Sequence, residues 1–191
     1  MSKTDSNSIL QKAARLYAGY GFEVFTIRKL AKQIPISPSV IYHYFKDEDE
    51  LLSSMFYYLN KNLGIKRAAL EQPKTAKQML KQRIEFQLDN QEAIVAVLKY
   101  YLANRKKFPK FKNGFVPDKS ALHIEEVLHF GKQTKEFEVV NLEDDAKVIT
   151  HAINGFLLEY YPYVPQDTEK KQLINRIYNF LIRALKGGEK K

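Results

Sequence analysis

Between Ser37 and Lys46 the chain reads Ser-Pro-Ser-Val-Ile-Tyr-His-Tyr-Phe-Lys. At about 100° per residue along a helix, Ile41, Tyr44 and Phe45 fall on one side, and Ser39, Val40, Tyr42 and His43 on the other. The first set is expected to pack inward. The second combines a small hydroxyl, a methyl-bearing side chain and two aromatic hydrogen-bonding groups, with no acid among them. That chemistry suits the major groove of double-stranded DNA: apolar contact for a thymine methyl, and donors and acceptors for base edges and phosphates. Basic residues gather nearby. The first 46 residues hold Lys3, Lys12, Arg15, Arg28, Lys29, Lys32 and Lys46 against Asp5 and Glu23 alone. Thr26, Arg28, Lys29, Ser37 and Lys46 therefore join Ser39, Val40, Tyr42 and His43 as candidate DNA-contacting residues.

Other chemistry has little support. With no cysteine there is no disulfide, thiolate metal site or cysteine nucleophile. The four histidines, at 43, 123, 129 and 151, are scattered, and His123 and His129 lack the i, i+4 spacing of a helical metal pair. No Gly-rich phosphate loop or nucleophile elbow is present. Neither an enzyme, a bound metal nor a cofactor is expected. The run Arg105-Lys106-Lys107-Phe108-Pro109-Lys110-Phe111-Lys112 reads as a solvated inter-helix loop, ahead of a second nucleic-acid surface.

The elements that must position the candidate face follow from punctuation. The chain has 191 residues, 45% hydrophobic and 28% charged, which is enough for one large domain or two small ones with a real core. A net charge of +9 permits a polyanionic partner. The longest apolar stretches, such as Ala93 to Leu98, are too short to span a bilayer, and no signal-type run follows Met1. A cytoplasmic location without membrane attachment is the expectation. Glycine is scarce, and the seven prolines sit between segments whose apolar residues recur at three- and four-residue steps. About nine helices and little or no strand are predicted, an all-α fold.

A first helix should run from about Asp5 to Tyr20 and stop at Gly19–Gly21. Thr26 can cap a second, whose buried face is Ile27, Leu30 and Ala31. It must end near Gln33, because Ile34 precedes Pro35. Ser37 as N-cap and Pro38 at the first helical position start a third, running to about Tyr44. Two short helices across a tight turn, braced by a longer one, make a helix-turn-helix. Late in the chain, one helix is expected over Leu142–Tyr160, capped by Asn141. Another should span Asp167–Lys186 and stop at Gly187–Gly188.

Ile9 to Tyr17, Gly21-Phe22, Thr26 to Ala31, Ser37 to Phe45 and Glu50-Leu51-Leu52 together resemble the N-terminal domain of the TetR family of repressors. The resemblance covers about a quarter of the chain. It implies an all-α homodimer on a palindromic operator, with the third helix in the major groove and a divergent C-terminal domain that binds a small-molecule inducer. On this basis residues 1–46 form the helix-turn-helix domain, 47–65 a connecting helix, and 66–191 the ligand-binding and dimerisation domain. The expected function is a ligand-responsive regulator, binding operator DNA as a dimer; the alternative is a helical protein-interaction or membrane-surface module that has lost operator reading. Three departures stand out. Pro35 replaces the family's turn glycine, so the turn is expected to be built differently, since proline disfavours positive φ. Val40 stands where threonine is common. Glu48, within Asp47-Glu48-Asp49-Glu50, stands where a phosphate-binding lysine is usual. Lys46 is the candidate replacement for that contact.

The family pairs the last two helices of each subunit in a four-helix bundle. This implies dimer contacts from Ile153, Phe156, Leu157, Tyr160, Leu173, Ile177, Phe180 and Leu181. A pocket between the middle helices would draw on polar or aromatic residues set in apolar stripes: Phe86, Tyr100, Tyr101, His123, Phe130, His151 and Asn154. The many tyrosines and phenylalanines suggest a largely apolar or aromatic effector.

Overall fold

The computed structural model describes residues 5–21, 23–106, 118–161 and 167–186, with the side chains of 118–122 and of residue 167 outside the described set. Among the described residues there are nine helices and no strand: α1 (Ser6–Tyr20), α2 (Ile27–Gln33), α3 (Pro38–Tyr44), α4 (Glu48–Ala68), α5 (Ala76–Asp89), α6 (Gln91–Ala103), α7 (Asp118–Gln133), α8 (Leu142–Tyr160) and α9 (Asp167–Leu185). No helix among them is long and apolar enough to cross a membrane. Most of the basic run at 105–112 and the Gly187–Gly188 stop lie outside the described residues.

Helix ends follow local chemistry. The side chains of Asp5, Thr26, Asp47, Thr75 and Asn141 each accept from a backbone N–H in the first turn of α1, α2, α4, α5 and α8. These bonds satisfy donors that a helix start otherwise leaves without a partner. Gly21, at φ 73°, closes α1 and donates to the Tyr17 carbonyl. The α8 boundaries and its Asn141 cap are those read from the sequence, and α9 begins at Asp167.

The chain divides into two compact units. Unit 1 takes residues 1–69 and 92–114, and so holds α1–α4 and nearly all of α6; unit 2 takes 70–91 and 115–191, with α5 and α7–α9. In unit 1, α1 packs on α2 and α4, and α2 on α3. Its core is built from Ile9, Ala13, Leu16 and Tyr17 of α1, Phe25, Leu30 and Ile41 of the helix-turn-helix, and Leu51, Leu52, Met55 and Phe56 of α4. In unit 2, α5 packs on α7, α8 and α9, and α7 on α8. Gly131 of α7 lies so close to the Phe137 ring that an added Cβ would overlap it.

α8 carries two candidate buried stripes. Val148, Ala152, Gly155, Phe156 and Glu159 recur with helical spacing, yet the side that unit 2 covers is Ala146, Ile149, Thr150, Ile153 and Leu157. Both stripes are apolar enough to be buried, so periodicity alone does not select between them.

Candidate nucleic-acid interface

The α2–turn–α3 segment is held by backbone hydrogen bonds and by side-chain caps at its helix starts. Thr26 Oγ1 accepts from the Lys29 N–H at 3.1 Å and remains able to donate its own proton outward. Glu48 Oε2 accepts from the Ile27 N–H at 3.3 Å, so the acid that replaces the family's lysine caps α2 from the start of α4. Its neighbours are similarly occupied. Asp47 Oδ1 accepts from the Glu50 N–H at 2.8 Å, and Glu50 Oε2 from the Lys46 N–H at 2.7 Å. Three of the four acids therefore answer backbone donors at helix starts, where the dipole favours negative charge. Lys46 is exposed, with its Nζ 3.7 Å from Asp47 Oδ2. An exposed pair at that distance costs little to break.

The turn corrects an expectation. Pro35 was expected to force a different build, yet it sits at φ 25°. The Ile36 N–H donates to the Ala31 carbonyl at 3.2 Å, six residues closing to one, over Ile34 as C-cap. This is the main bond of a Schellman cap, with proline in the left-handed position that glycine normally fills. Proline also lacks the N–H of the companion bond. The 6→1 closure together with burial of Leu30 and Ile41 on either side of the turn sets the path, and Pro35 adopts it under strain.

α3 shows two further differences. Ser37 has N-cap dihedrals but makes no side-chain cap; the Val40 N–H bonds the Ser37 carbonyl at 3.0 Å, and the Ser37 and Ser39 hydroxyls pair at 2.7 Å. With Pro38 offering no N–H and Val40 already bonded, the Ser37 hydroxyl has turned to its neighbour. Tyr44, expected to pack inward, is 39% exposed. Ile41 and Phe45 are the buried pair, and Tyr44 lies about 60° off Ile41 on the side away from Phe45, at the rim of the buried stripe. Its ring meets His43 edge-on, centroids 5.3 Å apart.

Ser39, Val40, Tyr42 and His43 all stand exposed on α3, Tyr42 at 54%. Thr26, Arg28, Lys29, Ser37 and Lys46 are exposed as well. A seven-residue helix is about 10 Å long, a length that a major groove about 12 Å wide admits. Tyr44 and Glu48 were missed as contributors to this region. The rim position of Tyr44 was visible in the helical angles; the partner of Glu48 lies 21 residues away and left no local signal.

Behind the face, the core of unit 1 is aromatic. Tyr17 meets Phe25 at 5.8 Å and Tyr100 at 6.3 Å, and Tyr100 meets Phe56 at 5.0 Å. Burial, then the neighbouring Tyr100, pushes the Tyr17 phenol well above its ordinary value. Lys99 of α6 donates to the Ala18 carbonyl at 2.6 Å, and burial lowers its ammonium pKa.

The seven pocket candidates divide between the two units. Tyr100 and Tyr101 belong to unit 1, where Tyr100 is buried core; Phe86, His123, Phe130, His151 and Asn154 belong to unit 2. Phe86 is buried, and His151 is exposed on α8. A groove of about 490 Å³ in unit 1, lined by Gln11, Tyr58, Asn62, Lys66, Glu92 and apolar neighbours, includes none of the seven. The dimer candidates also divide. Ile153, Leu157, Leu173, Ile177 and Leu181 are buried in the single chain, which leaves them little surface to offer a partner. Phe156 at 40% and Phe180 at 58% are exposed, and Tyr160 is half-buried.

The sequence pattern of the family described as "Bacterial regulatory proteins, tetR family" matches residues 9–55. No curated protein sequence matches the chain. Solved structures with the same fold include the TetR-family transcriptional regulator PfmR from Thermus thermophilus, at 19% identity and TM-score 0.68, over 97% of this chain and 100% of that one. FadR from Bacillus subtilis, solved with stearoyl-CoA, matches at 19% identity and TM-score 0.68 over 95% and 100%. The ketosteroid regulator KstR2 of Mycobacterium tuberculosis matches at 13% and TM-score 0.68 over 98% of both.

Proposed function

We propose, on the premise that residues 9–55 carry the DNA-binding domain of the bacterial tetR family, that this chain is a ligand-responsive repressor that binds a short palindromic operator as a homodimer. One observation carries the reading. α3 offers Ser39, Val40, Tyr42 and His43 to solvent together, while three of the four acids that follow it, Asp47, Glu48 and Glu50, are engaged by backbone N–H groups. α3 then enters the major groove, with Val40 and His43 reading base edges and Tyr42, Thr26, Arg28, Lys29 and Lys46 on or near phosphates. The alternative of a helical module without operator reading drew on Glu48, and that departure has a structural role in capping α2.

Selection from a random duplex pool with purified protein tests the proposal. Enrichment of a palindrome with half-site centres about one helical turn apart, or a multiple of it, is expected, with affinity that falls steeply as salt rises. Equal affinity and equal salt slope on random DNA would overturn it.

Phe156 of α8 and Phe180 of α9 are large aromatic groups that unit 2 leaves uncovered, which supports a dimer through these two helices. Glutamate at both positions is expected to leave a monomer by sedimentation. The effector is an amphipathic molecule with a largely apolar body; FadR, of like fold, was solved with an acyl ligand.

A further inference from the structure

Unit 2 buries polar atoms that have no hydrogen-bond partner among the described residues. Arg83 Nε and Gln87 Oε1, one turn apart on α5, have no hydrogen-bond partner, and neither has Thr150 Oγ1 on α8, a residue only 4% exposed. α5 packs against α8 and α7. Buried polar atoms without partners are uncommon in native proteins, and each one carries a desolvation cost. The Arg83 charge is also loosely compensated. Its Nη2 lies 3.9 Å from Glu126 Oε2, beyond hydrogen-bond reach, and that carboxylate is 63% exposed and 3.6 Å from His123 Nδ1. Burial presses the Arg83 guanidinium toward losing its charge, while Glu126 opposes this.

We propose that Arg83, Gln87 and Thr150 form the polar end of the effector site, and that the site takes a small carboxylate with an adjacent hydroxyl on an apolar body. The inference rests on reading the chain as effector-responsive. The chemistry is complementary atom by atom. Arg83 Nε–H and the Thr150 hydroxyl donate to carboxylate oxygens, and Gln87 Oε1 accepts from the ligand hydroxyl. The apolar body is matched by the residues between and beside these groups, Ile84 on α5 and Ile149 and Ile153 on α8, all buried. A neutral ligand without a donor would leave Gln87 Oε1 unsatisfied and would offer the Arg83 guanidinium no charge.

Titration calorimetry on the full-length protein with β-hydroxydecanoate, decanoate and methyl decanoate tests this. β-Hydroxydecanoate is expected to bind tightest, with about tenfold loss for decanoate and a further tenfold loss for the ester. Arg83→Met keeps the chain length and removes the charge; it is expected to fold, and to bind acid and ester alike. Thr150→Val should weaken the acids without affecting the ester. Equal binding of acid and ester by the wild type, binding of none of the three, or an acid preference that survives Arg83→Met overturns the inference. Operator affinity measured on the same samples separates the two claims. Intact operator binding without acid preference removes this site only, whereas acid preference without operator binding removes the regulatory reading only.

Discussion

Unit 1 and unit 2 differ in the charge of the buried polar atoms that have no partner among the described residues. Around α3 the capping groups are tied down: Thr26 to Lys29, Glu48 to Ile27, Asp47 to Glu50 and Glu50 to Lys46. Its buried atoms without partners, Tyr17 OH and Asn60 Oδ1, are neutral. Unit 2 ties down its helix ends as firmly, with Glu136 receiving the Ala76 and Lys77 N–H groups at the start of α5. In its interior, beside an amide oxygen and a hydroxyl, it leaves a charged group's nitrogen, Arg83 Nε, without a partner among the described residues. A surface that meets a rigid polyanion is best fixed before contact, because ordering side chains on binding costs affinity. A site that must respond to a small molecule benefits from groups whose partners arrive with it.

The largest test of this contrast is Gly131→Ala. The new methyl would overlap the buried Phe137 ring in a packed helix pair, which should cost about 3 kcal/mol, toward the upper end for overpacking. Hydrogen exchange should show lost protection in α7 and α8 with α1–α4 unchanged. Equal loss across both units would mean that they do not unfold independently. Next in size is Tyr42→Ala. An exposed contact removed from the DNA face should weaken binding about thirtyfold on every sequence and leave melting unchanged. Val40→Ala and His43→Ala should instead shift preference at particular bases. Gel-shift competition with half-site variants distinguishes the two patterns, and a reversed pattern would reassign the faces of α3.

Helix ends were readable in the sequence because caps are local. Asn141 precedes Asp144 by three residues and fixes the start of α8, and Thr26 and Lys29 do the same for α2. Spacing likewise gave the outward set on α3. What the sequence concealed depends on contacts between distant residues. Phe156 and Ile153 lie on different stripes of α8, equally apolar in type, and only packing decides that Ile153 goes inward. The role of Glu48 required Ile27 beside it, and Tyr100 looked like a pocket residue until α6 was seen to pack with the N-terminal helices. Arg83 and Gln87 read as ordinary polar positions on an amphipathic helix, because burial of single atoms has no sequence signature.

A smaller effect is expected at Glu136. Burial acts to raise its carboxyl pKa, but the Ala76 and Lys77 N–H groups, the Thr134 hydroxyl and the Lys77 charge hold it below the ordinary glutamate range. A depressed folded-state value stabilises above the unfolded pKa and loses that stabilisation as pH falls through the folded one. Glu136→Ala should cost about 1 kcal/mol at neutral pH, as cap losses do. Urea midpoints of the variant and the wild type should then converge below about pH 4. A gap that persists undiminished in acid would show that the cap acts through packing alone.

The smallest expected effect returns to the end of α2, and it sets two versions of one motif against each other. At the end of α7, Lys135 occupies the left-handed position at φ 61°, the Glu136 N–H closes on the Gly131 carbonyl at 2.8 Å, and the Lys135 N–H closes on Lys132 at 3.3 Å. At the end of α2 the outer bond is present, but Pro35 occupies the left-handed position and can supply no inner one. Pro35→Gly would relieve the backbone and restore a donor facing Lys32, a gain on the order of 1 to 3 kcal/mol before the unfolded chain is considered. Glycine also frees the unfolded chain, which returns up to about 1 kcal/mol of that gain. With the strain at its lower end, a net stabilisation of roughly 0.5 kcal/mol is expected in urea melts, with operator affinity unchanged because no candidate contact moves. If the variant is instead less stable, the rigidity of proline outweighs its strain, and the turn of the reading head is held by stiffness where the end of α7 is held by bonds.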